Sequence, residues 1–393
     1  MSAYVSIITA FPEFFRGFLS TSIIGRAVKT GNIKVEIINL RDFGRGGYRK
    51  IDDYSFGSGG MVLAAPPLAD ALVRARELRG EGGKGFVVYP SPQGALLTQG
   101  IVETLARQDH VIIVCGHYEG VDERFIEREV HLEVSVGDCV LTGGEIPAMV
   151  IVDAMARLVP GVVGNDKAVT EDSFYAGMLD HPHYTRPPNW EGLQVPDVLR
   201  SGNAEGIRSW RRTSAVRRTL RRRPDLLCQA GIGPYLAGRV YVGIMSAQEA
   251  LLTSQHLRDI ALLCVHYGAQ RPVCIVPERD HRRSLQGSSG PSSPRLMPSL
   301  ERALDWIARR EKGVAPLTLL IGGPSLSGAR HWLELKRLAL ESGKPLFFLF
   351  LEGHPFERSG LKGDFLPLIF LEKKPMPLVG KTAVLLDRFL GGR

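Results

Sequence analysis

The chain lacks the signatures of several common protein classes. Its five cysteines (Cys115, Cys139, Cys228, Cys264 and Cys274) form no C-x-x-C pair and no His/Cys ligand spacing. That argues against a disulfide framework or a structural zinc site, and fits small buried hydrophobes in a reducing cytosol. Long apolar runs are missing too: no segment approaches the ~18 consecutive apolar residues of a membrane span. The opening stretch, MSAYVSIITAFPEFF, has neither the basic start nor the cleavage site of a secretory signal, and reads as a first core strand. A cytoplasmic protein with no membrane partner is the expectation. Glycine is absent where a Rossmann-type fold needs it. The first strand-to-helix turn reads Ala10-Phe11-Pro12-Glu13 rather than G-x-G-x-x-G, and no G-x-x-x-x-G-K-[ST] motif occurs. The usual dinucleotide or methyl-donor version of that fold and a P-loop hydrolase are thereby disfavoured.

What is present is ordinary in amount and uneven in arrangement. With 393 residues, 44% hydrophobic and 23% charged, the chain is long enough for two or three domains with cores of their own. The formal net charge is +8. Much of it is local: Arg208, Arg211, Arg212, Arg217, Arg218, Arg221, Arg222 and Arg223 crowd one helical stretch. Like charges at helical spacing destabilise one another, and a phosphate-rich partner resolves the conflict.

Periodicity predicts strands over 4–9, 34–39, 85–89, 111–115 and 132–141. Helices alternate with them, one opened by Pro12 and others over 67–79, 98–107 and 147–158. This pattern means an α/β domain with a largely parallel sheet. Residues 40–61 read as a polar, glycine-rich loop and 165–189 as a proline-rich linker or lid. Residues 197–235 read as helical, with Trp210 among the cations, and the glycines of 231–238 mark a boundary. A further α/β unit follows, with strands over 239–245, 273–276, 317–321 and 346–350. Its helices are expected over 249–267, 300–310, 326–342 and 381–390, with a Ser/Pro/Gly-rich loop over 284–298.

Three loop groups follow strands of the first domain: Tyr89-Pro90-Ser91-Pro92-Gln93-Gly94, Gly116-His117-Tyr118-Glu119-Gly120, and residues 137–147. In a parallel sheet such strand ends share one edge, where ligands of open α/β folds bind. Glycines there let backbone approach a ligand closely. Asp172 is placed either to cap a helix or to act as a general base on a loop, and Arg157 either to complement a helix C-terminus or to serve the site. His181-Pro182-His183-Tyr184-Thr185-Arg186-Pro187 joins groups able to stack on bases and bind phosphate. No second ligand cluster accompanies its two histidines, so no metal is expected.

These motifs closely resemble those of the bacterial tRNA (guanine-N1) methyltransferase family TrmD, of the SPOUT trefoil-knot class. The resemblance rests on the three loop groups above and on Cys115-Gly116-His117-Tyr118-Glu119-Gly120-Val121-Asp122-Glu123-Arg124. It rests also on Gly137-Asp138-Cys139-Val140-Leu141-Thr142-Gly143-Gly144-Glu145, Glu171-Asp172-Ser173-Phe174, His183-Tyr184-Thr185-Arg186-Pro187 and Leu199-Arg200-Ser201-Gly202-Asn203. It covers roughly residues 1–236 and implies a knotted α/β domain over 1–165 that holds S-adenosylmethionine. A linker and small helical tRNA-binding domain follow over 166–236. It further implies a homodimer with sites at the subunit interface, and methylation of N1 of guanosine 37 beside the tRNA anticodon.

Carried over motif by motif, the donor pocket comprises Pro90, Ser91, Pro92, Gly116, Tyr118, Glu119, Val136, Gly137, Cys139, Leu141, Gly143, Gly144 and Pro147. Asp172 would be the general base and Arg157 its partner. His183, Tyr184, Arg186, Arg208, Arg211, Arg212, Arg217 and Arg218 would grip the anticodon stem-loop. Two departures stand out: Gly57-Ser58-Gly59-Gly60-Met61 is one residue shorter than the family's glycine loop, and His117 stands where arginine is frequent. Residues 239–393 resemble a second SPOUT-like RNA methyltransferase domain. Their cofactor-loop positions, Leu351-Glu352-Gly353-His354-Pro355 and Lys374-Pro375-Met376-Pro377-Leu378, fit that pattern poorly. A non-catalytic RNA-binding or dimerisation module is the expectation there. A catalytically silent tRNA-binding protein is the competing reading for the whole chain.

Overall fold

In a computed structural model of the chain, the described residues are 3–57, 59–80, 84–164, 172–174, 177–228, 230–236, 238–246, 253–285, 293–322, 329–352, 361, 363–368 and 376–391. Several expectations therefore fall outside the described residues: Ser58 of the glycine loop, residues 165–171, 175 and 176 of the linker expected over 165–189, and the starts of the helices expected from 249 and 326. The same holds for Gly353-His354-Pro355 and Lys374-Pro375. The chain divides into two compact units, Met1–Glu171 and Asp172–Arg393. No helix among the described residues is long and apolar enough to cross a membrane.

The first unit is built on strands β1 (Ala3–Thr9), β2 (Ile33–Asn39), β5 (Phe86–Leu96), β6 (Val111–Val114) and β7 (Leu132–Ser135), with a small antiparallel pair, β3 (Asp52–Tyr54) and β4 (Met61–Leu63), beside them. The main sheet runs β2-β1-β6-β5-β7 and every pairing is parallel. Alternation along the strands feeds two cores. Ile112 and Val114 point to the face covered by α3 (Ala65–Arg79), through Leu68, Ala71, Leu72 and Ala75. Val111 and Ile113 point to the opposite face, covered by α4 (Gln99–Ala106) and α6 (Glu145–Ala156). Coverage on both faces is why these strands read as continuous apolar runs.

Two strands differ from expectation in ways that shape the site. β5 does not stop at Tyr89. It continues to Leu96, with its pairing to β7 interrupted between Pro90 and Ala95, because the prolines cannot supply ladder donors. β7 ends at Ser135, so the apolar residues after it are loop rather than strand. Ser135 accounts for the stop: its hydroxyl donates to the Gly137 carbonyl at 3.0 Å, and Gly137 takes φ +150°.

The second unit holds a six-stranded parallel sheet, β12-β11-β10-β14-β13-β15. Its strands are β10 (Val240–Ser246), β11 (Val273–Ile275), β12 (Arg295–Met297), β13 (Leu317–Ile321), β14 (Leu346–Glu352) and β15 (Asp364–Pro367). A two-residue hairpin, β8 (Asn189–Trp190) and β9 (Leu193–Gln194), precedes them. Leaving out the edge strand β12, the order β11-β10-β14-β13-β15 repeats that of the first sheet strand for strand. β12 and β15 were not foreseen, β12 because it lies within a stretch whose serines, prolines and glycines suggest loop. The arginine-rich helix Ala204–Arg222 shares a core with this sheet. Val216, Leu227, Ala230, Ile232 and Leu236 pack with Val240, Val242, Leu335 and Phe389.

A buried lysine crosses that core. Lys336 is 1% exposed and its Nζ donates to the carbonyls of Leu227 (3.2 Å) and Ala230 (2.5 Å). Burial lowers its pKa from 10.5 to about 8. Between those values the unfolded chain holds the proton more tightly than the folded one. Stability should therefore rise as pH climbs from about 8 toward 10.5, at about 1.4 kcal/mol per unit of displacement. Urea midpoints measured across that range should show the rise in the wild-type chain and lose it in Lys336→Met. An identical slope in both would contradict the assignment.

Candidate active site

The ends of β5, β6 and β7, three neighbouring strands, deliver their loops to one edge of the first sheet and enclose a cavity of about 270 Å³. All thirteen residues expected to hold a donor line it: Pro90, Ser91 and Pro92 from the extension of β5; Gly116, Tyr118 and Glu119 after β6; Val136, Gly137, Cys139, Leu141, Gly143 and Gly144 after β7; and Pro147 from α6. Tyr89, His117, Gly120, Val140 and Thr142, from the same three loop groups, also line it, together with Val134 and Ser135 of β7, which lie outside those groups. Of the five cysteines, Cys115, Cys264 and Cys274 are buried as expected, whereas Cys139 and Cys228 are exposed.

The loops are held together by backbone. Gly144 N donates to Gly116 O at 2.9 Å, tying the second loop to the third. Glu119 N donates to Met61 O (3.0 Å) and Leu63 N to Gly120 O (3.0 Å), so β4 braces the second loop. Tyr118 sits at φ +60°, a left-handed position, and Gly120 at φ +132°. The glycines serve close approach. A Cβ on Gly144 would stand 2.7 Å from the Cys115 Cα, and one on Gly116 would stand 2.8 Å from the Tyr89 ring. At Gly60 a Cβ would meet the Glu119 carboxylate at 2.7 Å, which places the shortened glycine loop beside the cavity wall.

Beneath the cavity lies a polar cluster that spacing alone could not reveal. Glu145, 3% exposed, lies 2.8 Å from His117 Nε2 through both oxygens and accepts from the Thr9 hydroxyl at 2.7 Å. Thr9 in turn accepts from Phe11 N at 2.9 Å, and the Phe11 and His117 rings lie 4.7 Å apart. The cluster ties the first turn of the chain to the second and third loops. His117, noted above as a departure, thus pairs with a buried acid. Burial, then the Glu145 charge, holds the Cys115 thiol well above its ordinary range, so Cys115 is a packing residue. Burial, then a hydrogen bond with Asp52, raises the Tyr118 phenol.

Arg157 forms the C-cap of α6 and does not line the cavity; Asp172 is exposed at the start of the second unit, where its Oδ1 accepts from Ser173 N at 3.1 Å. Within the second unit the expected tRNA-binding residues gather. His183 and Tyr184 are well exposed, and Tyr184 and His181 lie 6.1 Å and 6.3 Å from Trp210, ring to ring. Arg186, Arg208, Arg211 and Arg217 are exposed, Arg212 and Arg218 half-buried, and Arg218 donates to the Asp180 carbonyl. Arg223, by contrast, is paired with Asp225 at 2.8 Å. The Leu199–Asn203 motif has a local explanation: Gly202 turns the chain at φ +72°, and Asn203 Oδ1 accepts from Glu205 N and Gly206 N to start the arginine-rich helix. Asp180 joins the two histidines unexpectedly: its carboxylate lies 2.6 Å from His183 Nε2, and the three residues' potential ligand atoms lie within 4.8 Å of one another.

The family model described as tRNA (Guanine-1)-methyltransferase TrmD matches residues 3–229. A curated relative from Moorella thermoacetica, a tRNA (guanine-N(1)-)-methyltransferase, is 52% identical over 233 residues, which is 58% of this chain and 92% of that protein. Proteins with the same description from Actinobacillus succinogenes and Haemophilus influenzae are 50% and 49% identical, each over 225 residues, 57% of this chain and 91% of theirs. With its match spanning the cavity, its three loops and the arginine-rich helix, the chain belongs to the tRNA (guanine-1)-methyltransferase family TrmD.

Proposed function

We propose that the chain transfers a methyl group from S-adenosylmethionine to N1 of guanosine 37 of tRNA, with Asp172 as general base and Arg157 assisting. The observation that carries this reading is the chemistry of the cavity wall. Among the described residues it has no lysine or arginine, one acid (Glu119), and several glycines where added side chains would collide. Such a wall suits a compact ligand without phosphates that carries positive charge, and it disfavours a nucleotide polyphosphate. Bound there, S-adenosylmethionine supplies an electrophilic methyl group. The thirteen residues expected at the donor would hold and orient it, largely through backbone.

The chain's own groups prepare the acceptor. Guanine N1 carries a proton and has no free lone pair directed at an electrophile until that proton leaves. The Asp172 carboxylate takes it, while the Arg157 guanidinium offsets the charge that moves onto the guanine carbonyl oxygen. Holding both partners in line supplies much of the remaining acceleration.

The finer architecture is part of the same proposal. Residues 1–165 would form a trefoil knot around the donor, 166–236 would bind tRNA, and 239–393 would be a SPOUT-like module that binds RNA or supports dimerisation without catalysis. The repeated strand order of the two sheets supports the last assignment. A homodimer would complete each site. Ile146 and Val150, one turn apart on α6, are 48% and 43% exposed, an apolar stripe suited to a partner subunit.

The direct test uses tRNA transcripts with guanosine or adenosine at position 37. Guanosine should become N1-methylated and adenosine should stay unlabelled. Equal labelling would sink the site assignment, and no labelling would favour the silent tRNA-binding reading. Replacing Arg208, Arg211 and Arg217 with glutamine should raise KM for tRNA with kcat largely kept, and make the salt dependence of binding shallower by about three in log–log slope. An unchanged slope would move the tRNA contact elsewhere.

A further inference from the structure

The second unit carries a basic groove whose residues are none of those assigned above to the donor, the guanine or the tRNA. Arg295 of β12 faces Arg302, Trp306, Arg309 and Arg310 of the helix Leu300–Arg310 across a space of about 600 Å³. The helical residues recur at i, i+4, i+7 and i+8 and so share one face, while Leu300, Ala303, Leu304 and Ile307 turn to the core. Among the described residues no carboxylate lines the groove. Among the described residues none of the four arginines forms an ion pair. Arg310 donates to the Gln270 side chain at 3.0 Å, and Arg309 to the Asp305 carbonyl at 3.3 Å. Glu311, the acid next in sequence, is engaged by the Tyr241 hydroxyl.

Two of the cations are also held in place. The Arg295 guanidinium lies 4.8 Å from the Trp306 ring centre and that of Arg310 lies 5.8 Å from it. Trp306 is fixed in turn by the edge of Tyr241, fully buried, at 5.9 Å and 89°. Guanidinium groups stacked on a fixed indole lose less freedom when they bind an anion. Four guanidinium charges lining one groove, two of them stacked, repel one another, and a polyanion relieves that repulsion.

We propose that this groove binds the phosphodiester backbone of RNA, as a second anchoring surface besides the arginine-rich helix Ala204–Arg222. The choice of RNA over another polyanion rests on the tRNA reading above. The groove itself is independent of the donor cavity, which belongs to the other unit.

The test measures binding of a dye-labelled tRNA transcript to the full-length chain by anisotropy, from about 50 to 200 mM salt. The wild type is compared with Arg302→Glu/Arg309→Glu, whose altered side chains are exposed and off the core face. Arg258→Glu/Arg337→Glu, exposed on other helices of the same unit, controls for net charge. Matching melting curves establish that all three fold. The groove variant should bind about tenfold more weakly, with a log–log salt slope shallower by about two, and the control should not. Unchanged affinity and slope in the groove variant, or an equal loss in the control, would overturn the proposal. A slope change confined to the groove variant, in a wild-type chain that methylates no tRNA, would uphold the groove while the activity reading fell.

Discussion

Asp172→Ala is expected to lower methyl transfer about 10²–10⁴-fold while leaving S-adenosylmethionine binding intact. The size follows from the acceptor. Guanine N1 is protonated at neutral pH, so without a positioned base the reaction must wait for a rare ionised guanine or for water to take the proton. The retention of donor binding follows from the location. The described residues of the cavity wall lie between 89 and 147, and Asp172 lies outside that stretch. Single-turnover transfer and calorimetric titration of the donor separate the two quantities. If donor affinity fell together with transfer, Asp172 would be a structural residue and the base would have to be sought elsewhere.

Gly144→Ala should produce the opposite signature, loss of donor binding with tRNA binding kept. Gly144 adopts φ −80°, which any residue accepts, so no backbone preference opposes alanine. The cost is steric. The new Cβ would stand 2.7 Å from the Cys115 Cα and 2.8 Å from Gly116 N, and backbone atoms cannot rotate away as a side chain could. The third loop must withdraw from the second, which lengthens the Gly144 N to Gly116 O hydrogen bond and opens the cavity wall. Overpacking of this kind costs about 1–3 kcal/mol, which corresponds to roughly a fivefold to 150-fold weaker donor complex if the cost falls on the bound state. Titration with S-adenosylmethionine reads this directly. Unchanged affinity would mean that the loops tolerate separation and that the glycine serves only the turn.

How much of this was visible beforehand depended on how local each cause is. The helix Leu300–Arg310 and strand Leu317–Ile321 match their expected spans, because apolar spacing and flanking breakers specify them residue by residue. The three cavity loops were legible for a related reason: each pairs an apolar run with glycines, and parallel strands put those ends on one edge. β7 was overestimated because Val136, Val140 and Leu141 look like strand, whereas the Ser135–Gly137 turn diverts them into the cavity wall. The Thr9–Glu145–His117 cluster was invisible because its members lie up to 136 residues apart, and nothing in the spacing marks tertiary proximity. The same holds for Lys336, whose carbonyl partners precede it by more than a hundred positions.

If a homodimer completes each site as proposed, with Asp172 of one subunit serving the donor cavity of its partner, mixing two variants that are each nearly inactive at a donor concentration far below the weakened Kd tests it most directly. Asp172→Ala supplies an intact cavity without the base, and Gly144→Ala supplies the base with a defective cavity. In a two-fold dimer assembled at random from both, half the dimers are mixed, and each of these holds one site with both parts intact. Transfer should then recover to about a quarter of the wild-type level. Recovery to that level is the predicted result. Mixed dimers that form and remain as inactive as their parents would place base and cavity in the same subunit and contradict the account.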